Sequence, residues 1–121
     1  MFPPIYAALA AYAPLTALIG TAPVRAYPFG EAPQDVARPY IVWRTIGGEP
    51  ENYLGQRPDM DGFSLQVDIY ANTASSARAA ALQARDAIEG VAYITAWYGE
   101  DRDSETKSYR YSFGVDWLVA R

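Results

Sequence analysis

The run FSLQVDIYANTASSARAAALQARDAIEG, residues 63–90, changes its period in the middle, and that change decides the fold. Phe63, Leu65, Val67 and Ile69 alternate with Ser64, Gln66, Asp68 and Tyr70, the period of a strand with one buried face. Beyond Ala71 the apolar positions widen to helical intervals, and Ala77, Ala81, Ala84 and Ile88 share one narrow face. Ser75 or Asn72 is placed to cap the start of that helix and Gly90 to close it. A stripe of alanines allows close approach, so the run predicts a helix laid against a sheet.

Upstream, PYIVWRTI from Pro39 to Ile46 gathers β-branched and aromatic residues into a strand with its proline at the start. Downstream, VAYITAWY from Val91 to Tyr98 reads as a strand, and GEDRDSETK as the charged turn after it. The last segment sets Tyr109, Tyr111, Phe113, Val115, Trp117 and Val119 on one face, and Arg110, Ser112, Gly114 and Asp116 on the other. Two hairpins therefore flank one helix. Near the start, Ile5, Leu9 and Tyr12 recur at helical spacing; Pro14 is expected to end that helix, with a second short turn from Leu15 to Ile19 closed by Gly20. The proline-rich tract from Thr21 to Tyr40 reads as a loop holding one short extended segment, Val24 to Tyr27. The expected fold is α+β: a single domain over residues 1–121, with an antiparallel sheet and helices packed on one face.

Between the first two main strands lies GGEPENYLGQRPDMDG, Gly47 to Gly62, read as a polar loop of some 15 residues in which Gly47 and Gly48 are ordinary loop glycines. Glu49, Glu51, Arg57, Asp59 and Asp61 are costly to bury, and a connection longer than a hairpin needs commonly has a functional reason. The alternative is a mobile loop with no partner, which chain entropy tolerates well.

Composition narrows the chemistry. With 121 residues and half of them apolar, the chain suits one core burying roughly two-thirds of its unfolded surface. A formal charge of −4 and a single lysine, Lys107, leave no broad basic field for phosphates, so specific nucleic-acid binding is not expected. The apolar run PPIYAALAAYAPLTALIG lacks a basic leader and is broken by Pro3, Pro4 and Pro14, so neither a signal peptide nor a membrane anchor is expected. The chain has no histidine and no cysteine, which removes disulfides, the Ser-His-Asp triad and the usual ligands of zinc, copper, haem and iron–sulfur centres. Phosphate-cradling and nucleophile-elbow motifs are missing too.

Carboxylates remain. Glu100, Asp101, Asp103 and Glu105 alternate in a way that suits a hard cation, but the spacing lacks the glycine and final glutamate of an EF-hand, and a solvated turn is the simpler reading. Glu49, Glu51, Asp59 and Asp61 offer pairs for glycoside hydrolysis, yet nothing in a polar loop would raise one pKa. No cofactor, metal or catalytic residue is expected. Core packing accounts for most aromatics but least for Tyr53, in the polar loop, and for Tyr70 and Tyr98, on the second faces of their strands.

The order of these segments resembles the small tail-completion, or tail-terminator, proteins of long-tailed bacteriophages and prophages, over nearly the whole chain. Pro39-Tyr40-Ile41-Val42-Trp43, Asp68-Ile69-Tyr70-Ala71 and Arg110-Tyr111 carry the likeness, with the turn and strand EDRDSETKSYRYSFGVDW. The resemblance implies a structural protein of the virion neck, assembled in the host cytoplasm, associating as a usually hexameric ring that caps the tail-tube protein and meets the head connector. Glu49, Glu51, Tyr53, Arg57, Asp59, Tyr70, Tyr98 and Arg102 are the candidate contact residues. A head-completion or adaptor protein of the same region is the neighbouring alternative, and a small ligand-binding module the more distant one.

Overall fold

The computed structural model describes residues 2–121. In chain order the elements are α1 (Ile5–Ala10), α2 (Ala13–Ile19), β1 (Ala26–Pro28), β2 (Tyr40–Pro50), β3 (Met60–Ala71), α3 (Ala74–Glu89), β4 (Tyr93–Arg102) and β5 (Tyr109–Ala120). The five strands form one sheet in the order β1-β2-β3-β5-β4. Four of them are antiparallel as expected, and β1 adds a short parallel edge through Ala26, Tyr27 and Pro28 against Ile41, Val42 and Trp43. The sheet is therefore mixed.

All three helices contribute to one core on one face of the sheet. Leu65, Val67 and Ile69 of β3 and Phe113 and Val115 of β5 meet Ala80, Ala81, Ala84 and Ile88 of α3 in a single buried cluster that also takes Ile5, Leu9, Leu15 and Ile19. The alternation of β3 and β5 and the alanine stripe of α3 thus do what their spacing predicts. Thr73, rather than Ser75 or Asn72, caps α3 by accepting from Ser76 N–H at 3.1 Å. Pro14 lies in the first turn of α2 rather than ending α1, where its missing N–H is harmless. The tract before β2 is pinned by Arg25, whose guanidinium donates to the carbonyls of Leu18 and Pro39 at 3.0 and 3.1 Å.

The largest departure from expectation lies between residues 47 and 62. The ladder of β2 and β3 continues through Gly47–Ser64, Gly48–Phe63, Glu49–Gly62 and Pro50–Asp61, so only residues 51–59 connect the strands. Gly47 and Gly48 are strand residues at a β-bulge that falls between Thr45 and Gly47. Gly48 sits at φ +148°, and a Cβ there would overlap the Gly62 carbonyl oxygen, so the strand passes this point only with glycine. Glycine and charge, read as loop, here mark an arm whose outer edge is exposed and whose inner strand, β3, is paired with β5 as far as Met60–Ala120. Likewise β4 runs on to Arg102, four residues beyond its expected end, and the charged turn shrinks to residues 103–108. Among the described residues no helix is long and apolar enough to cross a membrane.

Candidate assembly surface

Among the described residues the face of the sheet away from the helices carries no second layer, and its side chains form a polar lattice instead. Asp68, on β3, is buried and accepts from Ser112 Oγ on β5 and, at 3.0 Å, from Gln66 Nε2. Arg44 reaches Gln66 at 3.2 Å, and Ser64 Oγ donates to Asp116 at 2.9 Å. Such a lattice satisfies its own polar groups across the strands while staying wet at the rim. Tyr98 lies over Gly114, where a Cβ would collide with its hydroxyl and with Thr95 Oγ1. The glycine makes room for an aromatic ring on an otherwise flat surface.

At the end of the sheet where β2 begins, Tyr40 and Tyr70 face each other across the β2–β3 ladder and stack, with ring centroids 5.1 Å apart at 18°. Burial pushes both phenols above their usual pKa. Arg110 pairs with Asp101 beside them, and Arg102 lies over the Tyr109 ring, 5.3 Å from its centroid. Arg38, Tyr40, Tyr70, Asp101, Arg102 and Arg110 line a cleft of about 410 Å³, closed on one side by the turn at Asp103. Among the described residues the Nε of Arg38 is buried without a hydrogen-bond partner.

At the opposite end, the arm is tied down on one side only. Arg121 grips Asp61 with two hydrogen bonds of 2.8 and 2.9 Å and donates to Pro58 O at 3.2 Å, and its backbone N–H meets Asp59 O at 2.8 Å. Its guanidinium holds the Asp61 carboxyl below the usual range. Tyr53 Oη donates to Asp59 at 2.8 Å, which raises the phenol's pKa. Leu54 at the tip is fully exposed, at 103% of its reference area. The whole of β2 from Arg44 to Pro50 is exposed, and among the described residues no strand pairs with its outer edge there.

The eight sequence-derived contact candidates therefore do not form one patch. Glu49, Glu51, Tyr53, Arg57 and Asp59 gather on the arm; Tyr70 and Arg102 line the cleft at the other end; Tyr98 stands between them on the open face. The carboxylate turn is dispersed by strand alternation. Glu100 pairs with Arg78 of α3 at 2.7 and 3.0 Å, Asp101 pairs with Arg110, and Asp103 accepts the backbone N–H groups of Glu105 and Thr106 at 2.8 and 3.2 Å. Those partners lower the pKa of Glu100 and Asp103. Among the described residues no three carboxylates come together as metal ligands. Sequence reasoning missed Arg38, Tyr40 and Arg110 as cleft residues. The register Tyr40–Tyr70–Arg110 brings them together, and no local spacing announces a register.

A small α+β domain with one helical face, one bare face and an exposed strand edge offers surfaces for contact more than a deep pocket. The profile of the tail completion protein gp17 family matches residues 3–120, so this chain belongs to that family and with it to the structural proteins of the phage tail region. No curated protein sequence matches the chain. Among solved structures, it is similar to a chain in the virion of the native gene transfer agent particle, at 16% identity and a TM-score of 0.70, over 97% of this chain and 92% of that one. At that identity the likeness is one of fold.

Proposed function

We propose that the protein caps the finished tail tube and joins it to the head connector as a homo-oligomeric ring, hexameric by family analogy, and that it performs no catalysis. The observation that carries this reading is the arm: an exposed strand edge from Arg44 to Pro50 ending in an exposed Tyr53 and Leu54. Isolated domains usually blunt such an edge, whereas assembling ones cover it with a partner. The net charge of −4 supports passage of DNA through a ring without electrostatic capture. Mass in solution together with complementation of a phage lacking the gene tests the reading. Rings of defined size and restored tails of normal length are expected; a protein that stays monomeric with and without tubes, or whose absence leaves tails complete, overturns it. Metal- or cofactor-dependent turnover lost on Asp101→Asn or Asp103→Asn would overturn the non-catalytic part.

A further inference from the structure

We infer that the cleft between Arg38, Tyr40, Tyr70, Arg102 and Arg110 is a carboxylate-binding site, and that its occupant is the acidic arm, Glu49 and Glu51, of a second copy of this chain. The inference rests on the ring reading and specifies the contact that would build it.

Charge is left over at both ends of the sheet. In the cleft, Asp101 is taken by Arg110, and the Asp103 carboxylate is turned onto two backbone N–H groups of its own turn. Arg38 and Arg102 then have no carboxylate partner among the described residues, although the chain as a whole is acidic. The buried, unpartnered Nε of Arg38 makes that guanidinium depend on its remaining donors, which match a carboxylate in planar fork geometry. On the arm, Asp61 is taken by Arg121 and Asp59 by Tyr53, while exposed Glu49 and Glu51 pair with no cation among the described residues. Arg57, on the same connection, forms no ion pair with either.

Geometry then places the pairing between copies. The cleft lies beside Tyr70, near one end of the twelve-residue strand β3, and Glu49 and Glu51 lie beside Gly62 and Met60 at its other end, roughly 25–35 Å away at the rise of an extended chain. One copy cannot join its own two ends, so the pairing runs from one copy to the next. A head-to-tail contact between two different patches of the same chain is heterologous, and such a contact builds a ring where its rotation closes. The half-polar, tyrosine-walled cleft is also the kind of site in which an ion pair is shielded from salt more than on an open surface.

The test uses charge reversal and mixing. Arg38→Glu alone and Glu49→Arg/Glu51→Arg together should each raise the concentration needed for self-association at least roughly tenfold. An equimolar mixture of the two variants should assemble again, because each reversed arm then faces a reversed cleft around an alternating ring. Arg102→Glu replaces Arg38→Glu if thermal melting shows that variant to be unfolded; the arm variant alters only exposed side chains. Wild-type protein that never associates sinks the ring reading and this contact with it. Wild-type rings with variants that associate equally well, or variants that both fail and do not rescue each other, overturn the contact while leaving the ring in place.

Discussion

The two hairpins that flank α3 are built alike along their strands and differently at their tips. In β4–β5 the turn closes on itself: the backbone of Asp103 donates to Ser108 O at 2.9 Å, Lys107 N–H meets Asp103 O at 2.8 Å, and the Asp103 side chain takes two further N–H groups. In β2–β3 the nine connecting residues are held at their base, by Glu51 N–H on Met60 O at 2.9 Å and by Arg121 on Pro58 O and Asp59 O, but toward the tip only by the isolated bridge Tyr53–Gln56 and the Tyr53–Asp59 bond, while Leu54 stands in water. A turn that serves only the fold satisfies its own backbone. The second turn leaves apolar area uncovered, and covering a leucine is worth about 1.5–3 kcal/mol, a gain open only to a partner.

The contrast predicts a graded series of effects. Both hairpins meet at Phe113, which is fully buried in β5, so Phe113→Ala should cost about 3–5 kcal/mol in urea unfolding, in a single transition. Two separate transitions would show that the hairpins are independent units and break the comparison. On the bare face, Ser112→Ala removes a donor from the buried Asp68 and should cost about 1–3 kcal/mol. Equal stability there would mean that the lattice contributes nothing to holding β3 to β5.

The closed turn should register in the melting temperature and in pH dependence. Asp103, Asp61 and Glu100 all have lowered pKa values, from backbone N–H groups, from Arg121 and from Arg78 respectively. Their contribution is complete above the unfolded carboxylate range, about pH 4, and is lost as pH falls through the lowered folded values. Asp103→Ala should therefore lower the melting temperature at pH 7 and flatten the acid limb of the stability profile. The smallest effect on stability belongs to the arm: replacing residues 51–59 with a two-residue glycine-containing turn should change unfolding free energy by no more than about 1 kcal/mol yet abolish ring formation and complementation. A shortened protein that still completes tails would remove the functional difference between the hairpins.

What the sequence disclosed follows from how local each signal is. The alternation of Phe63–Tyr70 and the alanine spacing of α3 belong to single elements, and both reappear in the core. The arm was not legible because Gly47, Gly48, Pro50 and Gly62 carry turn chemistry, while the ladder that holds them depends on two strands meeting in register. Pro14 likewise fits a helix start or a helix stop, and only the packing of Leu15 and Ile19 into the core decides between them. Tyr70 and Tyr98 were correctly placed on the second faces of their strands. Their neighbours Arg38 and Arg110, far apart in sequence, are joined only by the sheet.

The bulge at Ile46 separates the arm from the core in phase as well as in space. On the core side Thr45 faces Leu65; past the extra residue, Gly47 faces Ser64 and the alternation restarts. A single-residue insertion or deletion normally turns every later side chain to the opposite face, but here the slack already exists at one point. Deleting Ile46 would take up that slack: Gly47 would still face Ser64 and Glu49 still face Gly62, so the arm would keep its faces and lose only the local bend and extra twist of the bulge, without disturbing the Ile41–Ile69 and Trp43–Val67 pairs. The direction in which the arm leaves the sheet thus turns on one residue, so a lineage facing a new neighbour has a route to a new contact that leaves the strand pairs of the core as they were.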